Sequence, residues 1–255
     1  MAELGPRRVT VAGIGLLCPA GMGVDGAQGG RPGEVPGFRP HAYIDDRKKL
    51  KLMGRGVQLG VAAIRVALAA TPGWDQVPPE RRGLYVGATP QTGDPDDLRA
   101  ALEAACDAEG TFHLGQFATR GYPLIHPLWL VRGLSNNILG FASAIHDLQG
   151  VNMNYCDEDE GGWTALTEGA HAVAEGRADL IVAGGADALT EAEPLFGGRR
   201  CGEGAAFVVL RPAAPGEPEL RLDRGRLDPE EHLLGYLGAA TWPVALARAL
   251  LRQVR

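Results

Sequence analysis

Residues 180–183 (LIVA) run into Gly184 and Gly185 without a polar side chain, and residues 205–210 (AAFVVL) repeat the pattern. A strand that is apolar at every position must be covered on both faces, which requires a sheet held between two layers of helices. The rest of the chain supplies the pieces. Residues 8–12 (RVTVA) alternate and are rich in β-branched side chains, predicting a first core strand that enters a loop at Gly13, Gly15 and Gly21. Met53, Val57, Val61, Ile64 and Leu68 fall at helical spacing and give one long helix an apolar face. Residues 84–88 (LYVGA) read as a second strand. A helix over 94–105 follows, with its acidic residues early, at the positive end of its dipole.

Farther along, Ser135 is expected to cap a helix that runs to about Leu148. A strand is predicted from Val151 to Tyr155, then an acidic turn from Asp157 to Glu160, then a helix with Trp163, Leu166, Ala170 and Val173 on one face. Val244, Ala247, Leu251 and Val254 mark a last helix. Two stretches read as loops: residues 26–40, dense in glycine and proline and placed on the surface, and residues 111–129, which mix aromatics with His113 and His126. Residues 211–219 read as a linker. The order β, α, β, α predicts a layered α/β protein, with a main domain over 1–212 and a linker plus helical remnant over 213–255.

Composition removes several classes of function. The chain has 255 residues, 45% of them hydrophobic, enough to bury a large core, and a net charge of -6 with both signs interleaved. That charge offers no basic face to a nucleic-acid backbone and no polybasic membrane anchor. No apolar run reaches the roughly 20 residues a membrane span needs, and the opening MAELGPRRVT has no apolar signal core, so a cytoplasmic location is expected. Cys18, Cys106, Cys156 and Cys201 are scattered without a C-x-x-C pair, which fits reduced thiols and neither a zinc site nor a redox motif.

The opening VAGIGLLCPAG invites a dinucleotide-binding reading, since a strand leading into G-x-G can hold a pyrophosphate at a helix N-terminus. The third glycine of that pattern would have to stand at Cys18, and a Pro/Gly loop follows where a helix is required. No cofactor is expected. A metal site from Asp157, Glu158, Asp159 and Glu160 is disfavoured because successive residues do not converge on one ion.

That opening, together with GFRPHAYIDDRKKLKLMGRGVQLGVAAIRVAL, LYVGA, LSNNILGFASAIHDLQGVN, VAEGRADLIVAGGADAL and GEGAAFVVL, resembles the β-ketoacyl synthases of the thiolase-like superfamily, block for block and in order across most of positions 8 to 210. The resemblance implies a thiolase-like layered α/β fold, here one N-terminal half plus a reduced C-terminal remnant, and acyl-carrier-protein thioesters as the substrate class. Against the family's nucleophile motif, GVNMNYCDEDEGGWTAL aligns without gaps from Gly150 to Ala165-Leu166, so Asp159 stands in the nucleophile column. The chemistry of the resembling enzymes needs a thiolate at the start of a buried helix, where the dipole lowers its pKa. A carboxylate there is a poor acceptor for transthiolation.

Cys156, three positions upstream, is the fallback nucleophile. It would lie at the end of the strand, before the helix dipole begins and beside Asp157 and Glu158, whose charges oppose a thiolate. The family's C-terminal Gly-His-Thr-Leu-Gly-Ala-Ala block is echoed by Gly235, Leu237, Gly238, Ala239 and Ala240 in LGYLGAATWPVAL, with its His-Thr pair reduced to Tyr236. His232 precedes the echo and reads as a surface residue. Glu203 matches a family glutamate read as structural support, with an exposed carboxylate at the strand entry as the alternative. The interval from Asp187 to Gly202 is shorter than the family's.

The resemblance therefore implies no catalytic residues. The expected function is a non-catalytic homologue that acts as a chain-length-factor-like partner subunit in fatty acid or polyketide biosynthesis. Its expected partners are a full-length ketosynthase and an acyl carrier protein, in a homo- or heterodimer. In such pairs the strand before the nucleophile column lines the subunit interface, here Val151, Asn152, Met153, Asn154 and Tyr155, with the aromatic stretch from Phe112 to Trp129 beside it. The alternatives are an active condensing or acyl-transfer enzyme of the 3-oxoacyl-carrier-protein synthase type using Cys156, and a carrier-protein or acyl-chain binding module without turnover.

Overall fold

The computed structural model describes residues 6–22, 33–89, 96–190 and 192–253. Its strands are β1 (Val9–Cys18), β2 (Gly21–Met22), β3 (Arg82–Gly87), β4 (Asn152–Tyr155), β5 (Leu180–Ala188) and β6 (Glu203–Pro212). They form one sheet in the order β2-β1-β6-β5-β3-β4. The neighbours β2/β1, β1/β6 and β6/β5 run antiparallel, while β3 runs parallel to both β5 and β4. The principal helices are α1 (Arg55–Ala69), α2 (Asp96–Glu103), α3 (Asn137–His146), α4 (Glu158–Ala174) and α5 (Thr241–Gln253). Among the described residues no helix is long and apolar enough to cross a membrane.

The sheet divides its side chains by parity, as a pleat must. Leu84, Val86, Val182, Phe207 and Val209 face α1 and α3, where they pack with Val57, Val61, Ile64, Ala67, Leu68, Ile138 and Ala142. Tyr85, Ile181, Ala183, Val208 and Leu210 face the other way, onto Ala165, Leu166, Ala172 and Val173 of α4. Val244 and Ala247 of α5 extend that second layer over Leu16 and Ala206. Each fully buried side chain of this size contributes about 1.5–3 kcal/mol.

Two strands run farther than expected. β1 continues through Gly13 and Gly15 to Cys18, and β5 continues through Gly184 and Gly185 to Ala188. The glycines are there for close approach: a Cβ at Gly15 would overlap the carbonyl oxygen of Ala63 on α1. A bulge between Val11 and Gly13 shifts the register, so that Val9 and Val11 and then Ile14 and Leu16 all face the second layer.

Of the segment 26–40, residues 26–32 lie outside the described residues, and the remainder is no surface loop, since Val35 and Phe38 are buried in the core. The stretch 111–129 winds into consecutive helical turns, Leu114–Gln116, Phe117–Gly121 and Tyr122–Leu124. Ser135 does not cap α3, for Asn136 takes the flanking position without a side-chain bond. Of the predicted helix over 94–105, α2 occupies Asp96–Glu103, and positions 94 and 95 lie outside the described residues, as does Val254 of the last helical pattern.

Candidate functional site

β4 ends at Tyr155, and the chain turns through Cys156 and Asp157 into α4, whose first turn carries Glu158, Asp159 and Glu160. The acidic run is thus the start of the helix itself, where the positive end of the dipole favours it. Glu158 has φ 39°, a left-handed backbone that costs a non-glycine residue about 1–3 kcal/mol, so the elbow between strand and helix is strained.

Three donors from the C-terminal segment converge on Asp159. The Trp242 indole N–H donates to Oδ2 at 3.0 Å, the Tyr236 hydroxyl to Oδ1 at 3.4 Å, and an Arg224 N–H to Oδ2 at 3.5 Å. Tyr236 also donates to Glu158 Oε2 at 3.1 Å, and Arg224 pairs with Glu160 at 2.5 Å. The cations double as ring partners: Arg224 lies 4.2 Å over Trp242 and Arg199 lies 3.8 Å over Tyr236. Trp163, one turn along α4 from Asp159, meets Trp242 edge-on at 6.5 Å. The Tyr236 side chain is fully buried, and that burial, aided by the charges of Asp159 and Glu158, drives its phenol well above the ordinary tyrosine range. It remains a proton donor throughout the physiological pH range.

The short link between β5 and β6 holds Tyr236 in place. Its N–H donates to the Arg200 carbonyl at 2.8 Å, and its own carbonyl accepts from Gly202 N–H at 2.9 Å. The following turn, Gly238–Ala240, is pinned by Asp187, whose buried carboxylate accepts from Ala239 N–H at 2.6 Å and from Thr89 N–H and Oγ1 at 3.0 and 2.7 Å. Burial pushes the Asp187 carboxyl up to about 7, against the pull of these donors. Gly162, a poor helix former, is explained here as well: a Cβ would overlap the carbonyl oxygen of Ala239, so the turn seats directly on the first turns of α4.

Cys156 lies apart from this cluster and is exposed. Its thiol donates to Ser135 Oγ at 3.0 Å and accepts from Asn154 Nδ2 at 2.9 Å, so neither partner is a general base. No imidazole is among the hydrogen-bond partners of Cys156 or Asp159 in the described residues. His232 is exposed, as expected. Glu203 is buried at 2% exposure, held by Arg55 at 2.8 and 2.6 Å and by Val35 N–H at 2.8 Å, which excludes the exposed-carboxylate reading. Among the described residues no group of three or more His, Cys, Asp or Glu side chains is arranged to hold a metal ion.

Among the described residues the expected interface strand is the sheet's outer edge, with β3 as its one strand neighbour. Asn152 and Met153 are exposed, Met153 at 49%, while Val151, Asn154 and Tyr155 are half-buried. Burial beside Tyr85 pushes the Tyr155 phenol up to about 12. Exposed apolar side chains gather in the nearby stretch of sequence that leads to α3: Phe112, Leu114, Tyr122, Leu124, Leu128, Val131 and Leu134, with Leu114 at 72% and Tyr122 at 67%.

In the sequence Tyr236 stands out only as the remnant of a lost pair, and Trp242 and Arg224 do not stand out at all. Neither residue carries a local signal, since Trp242 lies 83 positions and Arg224 65 positions from Asp159.

The chain matches no family model. Among solved structures it is similar to a complex of a type II polyketide synthase acyl-carrier protein with its ketosynthase, with TM-score 0.66 and 19% identity, covering 81% of this chain and 62% of that one. It is similar as well to a β-ketoacyl synthase from Burkholderia phymatum and to the ishigamide ketosynthase/chain length factor, each with TM-score 0.63 and 22% identity, covering 81% of this chain and 59% of theirs. The fold is therefore that of the β-ketoacyl synthases, and the chain spans about three-fifths of the length of the structures it matches.

Proposed function

We propose that this protein is a non-catalytic β-ketoacyl synthase homologue that serves as a chain-length-factor-like partner of a full-length ketosynthase, with an acyl carrier protein as the third component, in fatty acid or polyketide biosynthesis. The observation that carries the reading is Asp159. A carboxylate stands on the strand-to-helix elbow, its oxygens taken by Tyr236, Trp242 and Arg224, in the place where the resembling enzymes need a free sulfur. Acyl transfer to that position would form an anhydride from a weak nucleophile whose lone pairs are already engaged.

The surface supports a partner role. Among the described residues, the open edge of β4 presents strand backbone without a partner strand, and the stretch between Phe112 and Leu134 a set of large exposed hydrophobic groups, features that a protein chain covers on association. In the interface we propose, Val151, Asn152, Met153, Asn154 and Tyr155 line the contact strand.

The test is co-purification and acyl loading in one experiment. The tagged chain is expressed with the ketosynthase and carrier protein of its own gene neighbourhood, and the complex is resolved by size exclusion. A stable complex is expected, lost in Met153→Arg, with mass-tagged acyl groups appearing on the ketosynthase alone. A monomer that captures no ketosynthase refutes the partner role, and stable label on Cys156 refutes the non-catalytic assignment.

A further inference from the structure

We propose that the acidic first turn of α4 is an internal docking point for the chain's own C-terminal segment, with Asp159 as the positioning residue that seats Tyr236 and Trp242 against the strand-to-helix elbow. The inference rests on the reading of Asp159 as non-catalytic and gives that residue a task.

The convergence argues for it. Arg224, Tyr236 and Trp242 come from three separate places in the segment after β6, yet each donates to the same carboxylate. A carboxylate has two oxygens and about four acceptor sites, enough for three donors, whereas a thiol sulfur is a weak acceptor that could not hold them all. The neighbours on α4 extend the dock in both directions: Glu158 takes a second bond from Tyr236, Glu160 takes the ion pair of Arg224, and Trp163 makes a T-shaped contact with Trp242. Arg224 ties the contacts together, since the guanidinium that reaches Asp159 and Glu160 also lies over the Trp242 ring.

The segment is held from its other side by the sheet. Asp187 at the end of β5 takes the Ala239 N–H, and Arg200 and Gly202 bracket the Tyr236 backbone. Tyr236 and Trp242 flank in sequence the turn that Asp187 pins, so Asp159 holds the two side chains on either side of the backbone that Asp187 fixes. The arrangement anchors the segment on the first turn of α4 while Cys156, Asp157, Glu158 and Glu160 remain exposed.

The test is amide hydrogen exchange on the isolated full chain, comparing wild type with Asp159→Ala, Asp159→Asn and Trp242→Phe, the last removing the N–H while keeping a ring. Asp159→Ala is expected to speed exchange about tenfold or more in peptides covering 224–242, with β5 and β6 unaffected. Asp159→Asn, which retains an acceptor, is expected to fall between, and Trp242→Phe to affect the same peptides more weakly. Unchanged exchange in those peptides in both Asp159→Ala and Trp242→Phe overturns the proposal. So does acceleration spread evenly over the core strands, which identifies a general loss of stability. No ketosynthase or carrier protein enters the measurement, so its failure leaves the partner reading standing, and failure to capture a ketosynthase leaves the docking standing.

Discussion

Asp187 gives the sharpest test of how the sheet holds the turn beneath the candidate site. Its carboxyl is buried at 3% exposure, and burial moves it from the ordinary 3.8 to about 7. At about 1.4 kcal/mol for each tenfold change in acid constant, that displacement corresponds to about 4 kcal/mol. The sign follows from which state holds the proton. Below pH about 4 the folded and unfolded chains are both protonated at this group, and its full contribution to stability is present. Between pH 4 and 7 the unfolded chain releases the proton while the folded chain keeps it, so stability falls, and above 7 the loss is complete.

Asp187→Asn removes the titration. The amide offers one acceptor oxygen, so either the Thr89 or the Ala239 donors face its NH₂ group, at a cost of about 1–3 kcal/mol. The variant is therefore expected to be less stable than wild type near pH 4.5 and equal to it or better at pH 8, the gap changing by about 3–4 kcal/mol between the two. Urea titrations followed by circular dichroism across that range measure the gap, and groups common to both proteins cancel. A gap that stays constant with pH would show that the Thr89 and Ala239 donors keep the carboxylate ionised throughout, and the reasoning from burial would be refuted.

Three further outcomes follow from the same geometry. Cys156 is exposed while Cys18 and Cys201 are buried, so in the isolated chain a maleimide should label Cys156 far faster than either, read by mass spectrometry. Gly15→Ala places a methyl group against the Ala63 carbonyl and 2.8 Å from Ala67 N, and should lower stability by about 1–3 kcal/mol or more in thermal melts. Arg81, and then Arg7, hold the Asp179 carboxyl down at about 2, so this contact contributes above pH about 4 and is lost as pH falls through 2. Because Asp179 is 40% exposed and screened by water, Asp179→Asn should cost below about 1 kcal/mol in urea titrations at pH 7, and the cost should shrink as pH falls toward 2.

The amino-acid sequence by itself determined the strands and the helices that cover them, because apolar runs and helical spacing are local signals of what must be buried on one face or two. It also showed that the resemblance aligns a carboxylate, Asp159, with the ketosynthase nucleophile, since the motif compared has fixed spacing. It underestimated β1 and β5, where Gly13, Gly15, Gly184 and Gly185 read as strand ends. Glycine marks a loop in one dimension and a close approach of backbone in three, and only α1 lying on β1 distinguishes the two at Gly15. Tertiary structure alone decided the surroundings of Asp159. Trp242 is 83 positions away and Arg224 is 65, and no local pattern links them to the elbow. They meet because β5 and β6 pair antiparallel over a short link, Asp187 fixes the turn between Tyr236 and Trp242, and α5 packs on β1 and β6, so the donors reach an acceptor that only the folded chain presents to them.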